Sequence, residues 1–285
     1  MYKACYSPRY FAVTHTNSME KLQYVAEAVV EQSLAQLIEP GDIDLEILRT
    51  LHEPSYVDAF LQGKKPLGEM SRFKWSEQLR DAVLAIQAGQ LKAAEIALNE
   101  GACANIAQGF HHAVYECGGG FCTFNGLALV AQQYPDKKIF VLDCDQHGGN
   151  GTAEFTTRLP NLFNFTIFGL RYGCRDFDRS IGRYISRYDG TFSQYEQILY
   201  EAFEQILIQK TELLIYQAGM DCHQADPYGS AWLDSVALYQ RDCMVFEFAR
   251  KYRIPIMFVL AGGYQALPEL VELHVSTFRA AGQFY

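Results

Sequence analysis

A chain of 285 residues, 49% hydrophobic and 20% charged, is long and apolar enough to bury a sizeable core, which excludes a disordered or collagen-like polymer. Its net charge of −9 argues against a binder of nucleic acid or of an anionic membrane, both of which reward clustered Lys and Arg. The acidic balance leaves a basic ligand open, though charge alone does not name one.

In chain order, Tyr2–Tyr6 reads as a strand, and Ser18–Ile38 and Ser76–Asn99 as helices. The strand Ala104–Ala107 and the helix Asn125–Gln133 follow, then the strands Lys138–Leu142 and Phe163–Phe168. Gln194–Ile208 is the clearest helix, because Tyr195, Ile198, Leu199, Ala202, Phe203, Ile206 and Leu207 repeat at i, i+3, i+4, i+7. Ser193 with Glu196 supplies a capping box at its start. The strand Leu213–Gln217, the helix Ala231–Lys251, the strand Pro255–Leu260 and the helix Leu267–Ala280 complete the chain. Short apolar strands alternating with helices imply parallel pairing through crossovers. The expected fold is a single-domain α/β architecture over 1–285, a wound, mainly parallel sheet with helices on both faces.

Eight cysteines include no Cys-x-x-Cys, so they read as reduced core thiols rather than a zinc ribbon. The start, MYKACYSPRYFAV, has no apolar stretch of signal-peptide length, and no run approaches a membrane span. A cytoplasmic protein without membrane or nucleic-acid partners is expected.

The unusual polar residues directly follow strands. They are His111 and His112, then Asp143, Asp145, His147 and Asn150, then Asp221, then Tyr264 after Gly262-Gly263. In an open parallel sheet the carboxyl ends of the strands border the ligand crevice, so four such clusters should share one edge. Asp145 and His147 project to one side and are ligand types of a catalytic zinc or ferrous site, for which Asp221 can be the third ligand. Asp143 and Asn150 can orient the two imidazoles, and Tyr264 can donate its hydroxyl to a substrate oxygen.

Together these motifs resemble the histone deacetylase superfamily of zinc-dependent deacetylases and acetylpolyamine amidohydrolases, in a bacterial-type or class IV-like form. His15-Thr-Asn-Ser-Met-Glu-Lys-Leu, Leu51-His-Glu-Pro-Ser-Tyr-Val57, Gly109-Phe-His-His-Ala, Gly120-Phe-Cys-Thr-Phe-Asn125, Asp143–Gly151, Gly219-Met-Asp221 with Asp226-Pro227, and Gly262-Gly-Tyr264 occur in the family's order. The resemblance implies an arginase/deacetylase-like fold and Zn²⁺ (or Fe²⁺) on Asp145, His147 and Asp221. It makes His111 and His112 the paired histidines, backed by Asp143 and Asn150, and Tyr264 the carbonyl-polarising hydroxyl. Gly120 and Phe121 become tunnel walls, and Tyr172 a candidate second aromatic. A structural K⁺ is implied at Asp143, Asp145 and His147, with Thr166 and Ile167. The sequence departs from the commoner pattern at Phe110, Gly126 and Gly148, none of them a ligand.

The implied substrate is an acyl-lysine protein, an acetylated polyamine or another small amide. A two-metal ureohydrolase of the arginase type is the nearest rival. It would need further carboxylates where Gly149 and Gly219 stand. A catalytically inactive acyl-lysine binder is the other alternative.

Overall fold

The computed structural model describes residues 1–229 and 231–285. The strands are β1 (Lys3–Cys5), β2 (Gln36–Ile38), β3 (Ala102–Gln108), β4 (Ile139–Asp143), β5 (Leu162–Phe168), β6 (Ser180–Tyr184), β7 (Leu213–Ala218) and β8 (Ile256–Leu260). They form one sheet in the order β2-β1-β3-β8-β7-β4-β5-β6, and every pairing is parallel. The wound α/β fold expected from the alternation is the one observed.

β4, β7 and β8 are buried along their whole length, and β3 all but its last residue, so both faces of the sheet centre are covered. The cover comes from α1 (Lys21–Glu31), α2 (Leu45–Leu51), α3 (Pro54–Leu61), α4 (Glu77–Glu100), α5 (Gly126–Gln133), α6 (Asn150–Phe155), α7 (Phe192–Ile208), α8 (Ser235–Tyr252) and α9 (Leu267–Ala281). One group packs as α1 on α9, α9 on α8 and α8 on α7; another sets α4 against β3 and α5. All eight cysteines are free thiols, six buried and two half-buried. Among the described residues no helix is long and apolar enough to cross a membrane.

Three local expectations need correction. The helix expected over Ser18–Ile38 stops at Glu31: Ser33 turns left-handed (φ 53°) and the Leu34 amide reaches back to Val29 O at 3.0 Å, a Schellman-type stop. The apolar pair Leu37 and Ile38 belongs instead to β2, an edge strand. At α7 the capping box is Thr191 with Gln194, two residues earlier than Ser193 with Glu196. The other edge strand, β6, escaped the sequence reading because only one of its five residues is fully buried.

Candidate active site

The four polar clusters follow β3, β8, β7 and β4, four consecutive strands at the sheet centre. Their shared edge is therefore a consequence of strand order.

The loop after β4 is coiled by its own carboxylates. Asp143 Oδ1 accepts the Asp145 amide (3.1 Å), and Asp145 Oδ1 accepts the His147 amide (2.9 Å). These turns aim Asp145 and His147 at Asp221, whose Oδ1 accepts the Gln146 amide at 2.9 Å. His147 Nδ1 lies 2.8 Å from Asp221 Oδ2 and 3.3 Å from Asp145 Oδ1. The donor atoms of all three side chains lie within 4.8 Å of one another. From β8, the Gly262 amide donates to Asp145 Oδ2 at 2.7 Å. A Cβ on Gly262 would sit 2.4 Å from the Asp221 carboxyl, so only glycine leaves this cradle open.

Burial raises the Asp221 carboxyl, and the neighbouring Asp145 carboxylate raises it further against the pull of His147. Burial opposes charge on His147 too, but its hydrogen bonds to Asp145 and Asp221 win and lift it to about 10. Two adjacent buried carboxylates and an imidazole drawn to carry positive charge form a set that calls for a cation. Oxygen, nitrogen and oxygen donors at this spacing fit a divalent metal such as zinc or ferrous ion.

Phe110 holds a left-handed backbone (φ 60°) just before the histidine pair, and the rings of His111 and His112 then lie 3.9 Å apart. His111 Nδ1 is 2.7 Å from Asp143 Oδ2, and His112 Nδ1 is 2.7 Å from Asn150 Oδ1. Burial works against protonation of both rings. For His111 the carboxylates of Asp143 and Asp145 outweigh it and raise the pKa. For His112, burial and the adjacent His111 hold the pKa well below the usual range. Because Asn150 Oδ1 can only accept, neutral His112 carries its proton on Nδ1 and keeps the Nε2 lone pair free.

Tyr264 is fixed through its backbone, its amide donating to Asp226 Oδ2 at 2.8 Å. Burial and the carboxylates of Asp145 and Asp221 keep its phenol well above its ordinary pKa, so it remains a donor. His111, His112, Gly120, Phe121, Asp145, Gly262 and Tyr264 line one narrow pocket. Tyr172 lies against His112, ring centroids 4.0 Å apart, and a Cβ on Gly120 would collide with both the His112 ring and the Tyr172 hydroxyl. Phe121 lines the pocket, and Tyr172 borders it through its contact with His112. Thr166 pairs with Asp143 in the β4–β5 register and accepts the Gly149 amide at 3.3 Å; Ile167 follows it, buried.

Three contributors were not singled out from sequence. Gln217 donates to Asp143 Oδ1 at 3.1 Å from within β7. Asp226, quoted only as part of a motif, brackets Tyr264 by also accepting the Tyr228 and Gly229 amides. Lys21, 1% exposed in α1, donates its ammonium to Ala261 O beside the glycine turn.

A family model describing the histone deacetylase domain matches residues 15–278. An uncharacterised protein of Picosynechococcus sp. is 30% identical over 95% of this chain and 94% of its own length. Histone deacetylase 2 of Arabidopsis thaliana is 27% identical over 82% of this chain and 64% of its own. Among solved structures, an acetylpolyamine aminohydrolase from Burkholderia pseudomallei superposes with a TM-score of 0.85 at 17% identity, covering 100% of this chain and 99% of that one.

Proposed function

The chain belongs to the histone deacetylase domain family, and from that premise we propose that it is a zinc-dependent amidohydrolase. Its substrates in this reading are acetylated, or longer-acylated, lysine side chains of proteins or small amines such as polyamines. One observation carries the reading: His112, neutral and with Nε2 free, lines the same pocket as Asp145 and Tyr264. Base, candidate metal ligand and oxyanion donor converge on one slot.

Asp145, His147 and Asp221 would hold a zinc ion, which would supply a Lewis acid and acidify a water toward a pKa of about 7. His112 takes a proton from the attacking water at Nε2 and delivers it to the leaving amine. His111, its Nδ1–H on Asp143, holds positive charge beside the tetrahedral intermediate. Tyr264 donates its hydroxyl to the developing oxyanion. Phe121 and Tyr172 give a neutral acyl-lysine stem apolar walls. The same proposal includes a structural K⁺ at Asp143, Asp145, His147, Thr166 and Ile167, and takes 1–285 as one catalytic domain working in the cytoplasm. A second metal is disfavoured by sterics: a side chain at Gly149 would start 2.3 Å from Asp143 Oδ2, leaving no space for another carboxylate.

The test is hydrolysis by zinc-loaded protein of acetyl-lysine peptides, long-acyl-lysine peptides and acetylpolyamines. At least one is turned over, and Tyr264→Phe lowers kcat about 10²–10³-fold without changing Tm. Turnover of none of these amides would overturn the reading; full activity in the variant would remove Tyr264 from it.

A further inference from the structure

We infer that Arg72 makes the mouth of this slot cationic and selects acyl-lysines set among acidic residues over acylated polyamines. The inference deepens the amidohydrolase reading and rests on it. It runs against the charge of the whole chain, which at −9 would favour a basic substrate. Selection acts where the substrate enters, so local charge decides.

Arg72 belongs to a segment tied to the wall of the slot. Ser71 O accepts the Phe121 amide at 2.9 Å, and the Phe73 ring stacks on Phe121 with centroids 5.3 Å apart at 23°. Arg72 lies between these two anchors, exposed, with φ at 70°. A glycine would hold that conformation more cheaply.

The distribution of such residues is informative. Among the described residues, seven other than glycine have positive φ. Ser33, Lys210 and Arg253 come just after the ends of α1, α7 and α8, where left-handed caps are ordinary. The other four are Arg72, Phe110, Phe121 and Tyr172. Phe110 and Phe121 line the slot, Tyr172 lies against its His112, and Arg72 is held against Phe121. Backbone strain that gathers at one site and persists there marks function.

Arg72 is also uncompensated. Arg72 forms no ion pair with any described carboxylate, a state it shares with Arg171 and Arg175 but not with Arg9, Arg49, Arg80, Arg183, Arg241 or Arg279. Its charge reaches the hydroxyl of exposed Tyr172, where it pulls down a pKa that desolvation raises. Exposed Arg171 and Arg175 flank Tyr172 on the same loop, which also carries the exposed Asp176 and Asp178, with Asp176 turned to accept the Gly182 amide. Glu69, three residues before Arg72, is taken by Lys65 and the Trp75 amide. A carboxylate beside an acyl-lysine finds a free guanidinium here, whereas a polyamine brings ammonium groups to the same cation.

The experiment uses zinc-loaded protein and three acetyl-lysine peptides of equal length, flanked by Asp/Glu, by Ala/Gly or by Lys/Arg, with an acetylated polyamine as a fourth substrate. Expected kcat/KM falls in the order acidic, neutral, basic. The extremes differ about tenfold at low salt, the difference lies in KM, and it shrinks at high salt. The acetylated polyamine falls with the basic peptide. Arg72→Lys keeps the order, Arg72→Gln flattens it and Arg72→Glu reverses it. Turnover without charge preference, preference for the basic peptide or the polyamine, or an order unchanged in Arg72→Gln would each overturn the inference while leaving the amidohydrolase reading standing. No turnover of any of the four would overturn the inference, and only if long-acyl-lysine peptides are inert as well would the amidohydrolase reading fall with it.

Discussion

His52 has no exposed surface and both ring nitrogens are engaged: Nδ1 lies 2.9 Å from Val114 O, and Nε2 accepts the Asn125 amide at 3.0 Å. Nδ1 must therefore donate and Nε2 accept, which fixes the neutral ring. Burial lowers its pKa to about 4, against the pull of the Val114 and Tyr115 carbonyls. The unfolded chain, with His near 6.5, then binds more protons than the folded one between these values. The contribution is complete above about pH 6.5 and is lost as pH falls through 4, about 3 kcal/mol in all. Urea denaturation from pH 8 to 4.5 should show His52→Gln losing less stability than the parent; equal losses would refute the assignment. His52 stood out in the sequence only within a motif. Its task of pinning Asn125, the N-cap of α5, was invisible there because it depends on a contact 73 residues away. Lys21 and Gln217 were hidden differently: a single polar residue inside an amphipathic helix or an apolar strand looks like a solvent-facing position. His111, Asp145, His147 and Asp221 stood out only together: each alone also reads as an ordinary polar loop residue, but four clusters at the ends of buried strands share one edge.

At the scale of elements, α8 does more than cover the sheet. Its Arg241, 0% exposed, pairs with Asp242 at 2.8 Å and donates to Gly219 O at 2.7 Å, with Cys144 O at 3.4 Å. These carbonyls lie two residues before Asp221 and one before Asp145, so one guanidinium ties down the ends of β7 and β4. Asp242 also accepts the Tyr216 and Thr277 hydroxyls, linking α8 to β7 and α9. Arg241→Met strands that carboxylate and should cost about 3–5 kcal/mol. Adding Asp242→Asn should recover much of the loss. A single-variant cost under 1 kcal/mol in urea denaturation would show that the pair does not hold the loops. In the sequence, α8 was legible as a helix but the burial of an Arg-Asp pair was not, since adjacent charges usually mean a solvated face. The central strands were readable from apolar runs, while β2 and β6 lacked that signal because an edge strand buries less. Thr191 and Ser193 are both competent caps, and the local pattern did not decide between them.

For the whole molecule, the parallel order brings three loops to one cluster. Asp145 and His147 follow β4, Asp221 follows β7, and Gly262 follows β8 and bonds Asp145. Strand alternation made this convergence readable before any pairing was known, because parallel strands share a carboxyl edge. A cation bound there joins loops far apart in sequence, and it relieves repulsion between two buried carboxylates. The unfolded chain cannot assemble that set, so binding free energy becomes folding free energy. At a free zinc concentration 100 times Kd the gain is about 2.7 kcal/mol, worth a Tm rise of about 5 °C in a chain of this size. Asp221→Ala should lose the zinc-dependent increment, whereas Tyr264→Phe should keep it, since the tyrosine is not a ligand in this reading. The comparison separates metal affinity from catalysis: thermal melts with and without zinc need no substrate. An equal rise in Asp221→Ala would place the cation elsewhere, and the one-metal reading built on these three loops would fall with it.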